Sequence, residues 1–87
     1  MIYYVYLIKT INGLKNKSYV GFTNNIKNRI DKHNSNKGAK ATKGYKWELV
    51  FIKSFKNRSK ALSYEYKLKK DKFERSNLIN GFNKKKD

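Results

Sequence analysis

The sequence predicts an α+β fold: a small three-stranded sheet with two long helices and a short third helix packed on it. Three observations lead there. Apolar, β-branched and aromatic residues crowd three short stretches, at residues 2–9, 18–22 and 47–55. Outside them, apolar residues recur at helical spacing, as at Ile26 and Ile30, and at Ala61, Leu62 and Leu68. The chain has 87 residues, no proline, no internal repeat and no Gly- or Ser-rich linker, so it reads as one domain. That domain is expected over residues 1–82, with "NKKKD", residues 83–87, as a frayed basic tail.

The elements follow in order. Residues 2–9 are apolar on both faces, which suits a central strand. "INGLKNKS" supplies a hairpin turn around Asn12-Gly13, longer than a two-residue loop. Residues 18–22 return as the second strand. Thr23 is the expected N-cap of a helix over residues 24–34, whose inward stripe is Ile26 and Ile30. "SNKGAKATKGYK" then reads as a mobile basic loop carrying Lys37, Lys40, Lys43 and Lys46. The third strand spans residues 47–55 and is continuously apolar from Leu49 to Ile52. Asn57 or Ser59 caps a long helix reaching about Asp71, and a last short helix is expected over residues 74–79.

Composition narrows the function. Twenty-two Lys and Arg stand against six Asp and Glu, a net charge of +16. So much self-repulsion points to a polyanionic partner, with nucleic acid first. An anionic membrane surface or an acidic protein is the third choice, since no helix pairs a basic face with an aromatic one. Cysteine is absent, so disulfides and thiolate metal sites are excluded, and an intracellular, soluble protein of cytoplasm or nucleus is the expectation. No apolar run approaches the ~20 residues of a membrane span. The N-terminus lacks the marks of a secretory signal.

Among nineteen lysines only three arginines occur, and one of them, Arg29, stands four residues before the single histidine, His33. That spacing puts both on one helical face. Glu65 shares its helix face with Ala61, Leu62 and Leu68, and an ionised carboxylate on an apolar stripe is costly without a cation or donors. Two readings stand side by side. Glu65 pairs with Arg29, or it ligates a hard divalent cation that keeps most of its waters. Tyr6 and Tyr19 lie on strands expected to pair. Two phenols, a guanidinium, an imidazole and a carboxylate make an inventory suited to phosphodiester hydrolysis.

These residues resemble a known family. Tyr4-Val5-Tyr6, followed by Tyr19-Val20-Gly21, is similar to the paired signature of the GIY-YIG endonuclease superfamily. Arg29, His33 and Glu65 match its arginine, its frequent histidine and its metal-binding glutamate, and Asn77 falls where many members carry an asparagine. "YVGFT", "KHN", "KGAKAT" and "WELVFI" resemble its short standalone branch, related to the catalytic module of a branched-DNA nuclease and more distantly to the excision-repair nuclease UvrC. The resemblance covers about residues 2–71. It implies hydrolysis of DNA by water with one Mg²⁺ or Mn²⁺ on Glu65, and Tyr6 as the base. Tyr19 and His33 would position water or phosphate, and Gly21 would sit in a turn too tight for a side chain. Two departures stand out: Tyr4 replaces the first glycine, and Phe22 stands where some members have a lysine. No second DNA-reading module is expected, so little sequence specificity is expected either, and a helper protein is a candidate partner. The oligomeric state is open between monomer and weak homodimer. The alternative function is a nucleic-acid-binding module on the same fold that does not cut, or cuts only with a partner.

Overall fold

The computed structural model describes residues 1–11, 16–38 and 40–86. The turn expected at Asn12-Gly13 lies outside the described residues. The elements are β1 (Tyr3–Thr10), β2 (Ser18–Thr23), α1 (Ile26–Asn34), a 3-10 turn (Lys40–Thr42), β3 (Trp47–Phe55), α2 (Arg58–Lys70) and α3 (Lys72–Lys86). The strands form one antiparallel sheet in the order β2-β1-β3. The fold is α+β, as the sequence predicts, and β1 is the central strand. Its middle residues Val5, Tyr6, Leu7 and Ile8 are fully buried, because helices cover both faces.

Alternation along β1 divides the interior in two. Val5 and Leu7 face α2 and α3, packing with Val20, Ala61, Leu68, Phe51, Phe55 and Tyr64. Tyr6 and Ile8 face α1, packing with Trp47, Tyr19, Ile26, Ile30 and Leu49. The unbroken apolar run in β3 has a local cause. Leu7 pairs with Phe51 while Ile8 pairs with Leu49, so Val50 is the extra residue of a bulge. The bulge turns the adjacent Val50 and Phe51 toward the same α2–α3 core.

The helix ends differ in detail from the expectation. The cap of α1 is Asn25, whose Oδ1 accepts from the Asn28 N–H at 3.1 Å. Thr23 closes the preceding turn, its Oγ1 accepting from the Asn25 N–H at 3.1 Å. Asn57, not Ser59, caps α2 by accepting from the Lys60 N–H at 3.1 Å. Asp71 ends α2 and starts α3, its Oδ1 accepting from the Glu74 N–H at 2.9 Å. The third helix is the largest departure. It spans Lys72–Lys86, fifteen residues against nine in α1, and continues through most of the stretch read as a tail. Leu78 and Ile79 pack on the core and Phe82 is half-buried, so the apolar spacing continues past residue 79. No helix among the described residues is long and apolar enough to cross a membrane.

Candidate active site

Tyr6 projects from the central strand toward α1, directly across from Gly21 in the register with β2. A Cβ on residue 21 would come within 2.2 Å of the Tyr6 hydroxyl oxygen. Gly21 therefore leaves room for the phenol. The expected reason, a crowded turn, does not apply, because Gly21 lies inside β2.

The phenol is the middle of a hydrogen-bonded chain. Arg29 Nε donates to its oxygen at 3.2 Å, and His33 Nε2 lies 2.8 Å from the same oxygen. On the far side of the ring, His33 Nδ1 stands 3.0 Å from Thr42 Oγ1. Trp47 Nε1 donates to the Thr42 carbonyl at 3.0 Å. Tyr6, His33 and Thr42 are all fully buried. Tyr19, half-buried on β2, sets its ring edge-on to His33 with centroids 5.2 Å apart. Helix α1 delivers Arg29 and His33 one turn apart, the shared face that their spacing predicts.

Burial sets the protonation states. It raises the Tyr6 hydroxyl above its ordinary pKa, against the opposing pull of the bonded Arg29 guanidinium. It lowers His33, and the nearby Arg29 charge lowers it further. The Tyr6 hydrogen bond holds Arg29 more firmly in its charged form. A neutral phenol thus faces a neutral imidazole. Since Arg29 can only donate, we assign the Tyr6 hydroxyl hydrogen to His33 Nε2 and the ring N–H to Nδ1, bonded to Thr42.

Three supporting residues were not singled out in the sequence. A Cβ at residue 38 would lie 2.5 Å from His33 Nδ1, so Gly38 lets the loop close over the imidazole. Thr42 holds that imidazole. The side chain of Asn34 pairs with the Trp47 backbone in both directions: its Nδ2 donates to the carbonyl at 3.1 Å, and its Oδ1 accepts from the N–H at 2.7 Å. The signal was present in "KHN" and "KGAKAT", which resemble the family's short branch, but of these only His33 and the lysines carry a role in the sequence reading.

Glu65 is mostly buried, with 17% of its side chain exposed. Its ion-pair partner is Lys69 at 3.5 Å, one turn along α2, and not Arg29, whose Nε reaches Tyr6. The negative charge of Glu65 adds the smallest of the influences on the Tyr6 hydroxyl, disfavouring its ionisation. Although α2 covers the opposite face of the sheet, its last turn comes round the edge strand: Lys69 shares a pocket with Ser18, Tyr19 and Val20 of β2. Among the described residues no three His, Cys, Asp or Glu gather as a metal cage. One shielded carboxylate already facing an ammonium fits a hard cation whose shell is completed by water and phosphate.

Two other expectations land elsewhere. Asn77 is exposed on α3 and lines a groove with Phe51 and Phe82, so the structure does not bring it to the Tyr6–His33 cluster. Lys37, Lys40, Lys43 and Lys46 are exposed around the loop that covers His33. That loop has internal order: the Gly44 N–H donates to Asn36 Oδ1 at 2.9 Å, and Lys46 Nζ donates to the Asn34 carbonyl at 3.0 Å.

The sequence profile of the GIY-YIG catalytic domain matches residues 2–80. The chain belongs to the GIY-YIG family. Among curated relatives, the UPF0213 protein OB0043 of Oceanobacillus iheyensis is 37% identical over 79 residues, 88% of each chain. The UPF0213 protein CPE1444 of Clostridium perfringens is 44% identical over 69 residues, 77% of this chain and 70% of its own. The solution NMR structure of the UPF0213 protein BH0048 from Bacillus halodurans is similar with a TM-score of 0.50 and 31% identity, covering 93% of this chain and 84% of that one. Membership of the GIY-YIG family implies an endonuclease, hence a phosphodiester hydrolase.

Proposed function

We propose that this GIY-YIG protein is a metal-dependent DNA endonuclease that recognises backbone and shape rather than base sequence. The observation that carries this reading is the hydrogen-bonded chain Arg29–Tyr6–His33–Thr42, fully buried from Tyr6 to Thr42. Arg29 holds a non-bridging phosphate oxygen and neutralises the charge that develops there. Tyr6 takes the proton of the attacking water and passes its own to His33 Nε2, which is neutral and aimed at it. Thr42 and Gly38 keep the imidazole in that orientation. A divalent cation, Mg²⁺ or Mn²⁺, held by Glu65 would withdraw charge from the phosphate and steady the leaving oxygen. Lys37, Lys40, Lys43 and Lys46 add electrostatic hold on flanking phosphates. With about six such contacts, affinity falls with log salt at a slope of about −5.

The test is a panel of labelled flap, branched and single-stranded DNA incubated with Mg²⁺ or Mn²⁺. Wild type cuts at least one member, chelator stops it, and Glu65→Gln cuts about 10²–10³-fold more slowly with unchanged binding and melting temperature. No cutting of any member at any enzyme concentration overturns the reading. One observation favours the alternative, a chain that binds DNA and cuts only with a partner. Tyr6 is fully buried, its oxygen covered by Arg29. Water reaches that oxygen only when Arg29 moves, and a phosphate or a helper protein can draw it away. Wild type that binds the panel, stays inert, and cuts when cell extract is added supports this alternative.

A further inference from the structure

Beside the Tyr6–His33 cluster lies a second pocket, of about 220 Å³, lined by Ser18, Tyr19, Val20, Lys69 and Arg75. Its two cations are held in different ways. Arg75 is anchored: Nη1 donates to the Leu68 carbonyl at 2.8 Å and also to the Lys69 carbonyl. These carbonyls belong to the last turn of α2, where the helix runs out of its own i+4 donors; that of Leu68 also accepts from the Asp71 N–H at 3.3 Å. A guanidinium has donors on three nitrogens, so the anchored corner leaves the Nε and Nη2 edges over. Lys69 is loosely held: its side chain is half exposed, and its 3.5 Å contact with Glu65 is the kind of partly solvated pair that contributes little. Among the described residues, no carboxylate lines the pocket. Tyr19 belongs to both sites: its ring contacts His33, and it also lines this pocket.

We propose that this pocket binds a second phosphate of the DNA backbone, next to the one being cut, with Arg75 as the fixed donor, Lys69 as the movable one and the Ser18 hydroxyl at the rim. It rests on the DNA reading above. In the free protein the Lys69 ammonium sits against Glu65, and the backbone phosphate draws it off. The same movement uncovers the carboxylate, so the strand prepares the metal ligand as it seats.

The test is binding of a labelled DNA duplex in chelator, by fluorescence anisotropy over a salt series. Lys69→Gln lowers the magnitude of the log–log salt slope by about 0.9, one phosphate contact. Ser18→Glu, at an exposed position on the strand end, weakens binding several-fold at low salt. Lys60→Gln, on α2 away from the pocket, stays near wild type. Duplexes with single methylphosphonates then map the contact: one position that weakens wild type has no effect on Lys69→Gln. If Lys69→Gln and Ser18→Glu match Lys60→Gln while wild type binds with a steep salt dependence, the pocket proposal is overturned and the DNA reading survives. If wild type shows no salt-dependent binding, both fall. Manganese binding without DNA, read by calorimetry, is expected to tighten several-fold in Lys69→Gln. Unchanged affinity removes the uncovering step.

Discussion

The two faces of the central strand share a backbone and differ in chemistry. Toward α2 and α3, Val5 and Leu7 meet Val20, Ala61, Leu68 and a set of aromatic rings. Toward α1, Tyr6 and Ile8 meet Trp47, and the packing is threaded by hydrogen bonds through His33 and Thr42. The first face is held by non-directional burial, which tolerates exchange at constant volume. The second is held by donors and acceptors that need each other, since a buried group left alone costs about 1–3 kcal/mol. In a domain this small, a purely apolar core and a hydrogen-bonded polar cluster occupy opposite sides of one strand.

Breaking that division should have graded effects. Leu7→Ala empties the apolar face and is expected to cost about 3–4 kcal/mol in chemical denaturation, with cleavage per folded molecule unchanged. A slower rate in the folded fraction would show that the faces are coupled. Gly21→Ala drives a methyl group into the Tyr6 hydroxyl. Overpacking of this kind costs about 1–3 kcal/mol, and cleavage should fall with it because the phenol must move. Tyr6→Phe keeps the ring and removes the hydroxyl that joins Arg29 to His33. It should cost about 1–3 kcal/mol and abolish cutting, whereas Tyr3→Phe on the other face does neither.

The smallest expected effect is that of pH. His33 titrates below its ordinary 6.5 in the folded state. As pH falls below 6.5 the unfolded chain binds a proton that the folded chain resists, so stability declines from there down to the folded pKa. Denaturation midpoints between pH 7.5 and 5.5 should drop for wild type and stay flatter for His33→Gln. Equal slopes would place the imidazole in contact with water.

The sequence made the sheet legible because hydrophobic alternation is a local signal. The central place of β1 and the bounds of β3 were readable for that reason. Caps were harder. Thr23 and Asn25 are both good cap residues, and the choice depends on which side chain the first free N–H meets. The third helix is longer than expected mainly at its end, because the charge run "NKKKD" resembles a frayed tail although the helix continues to Lys86; at its start, Asp71 both ends α2 and caps α3. In the site, helical spacing alone brought Arg29 and His33 together. The partners of His33 were hidden, because Gly38 and Thr42 act by fitting space and by one hydrogen bond across nine residues. Asn77 was expected in the site from the family resemblance, but α3 places it in a groove with Phe51 and Phe82.

The pairing of Asn34 with the Trp47 backbone brings the two ends of the segment between them to one point. The chain leaves α1 and enters β3 through the same clasp, so the length of the excursion is uncoupled from the geometry of the sheet. Only its first part, up to Thr42, is tied to the imidazole. Extra residues inserted at Lys43-Gly44 would therefore give up the Gly44–Asn36 hydrogen bond but leave the clasp closed, which makes that tip a site for grafting a peptide or a fluorescent label near bound nucleic acid.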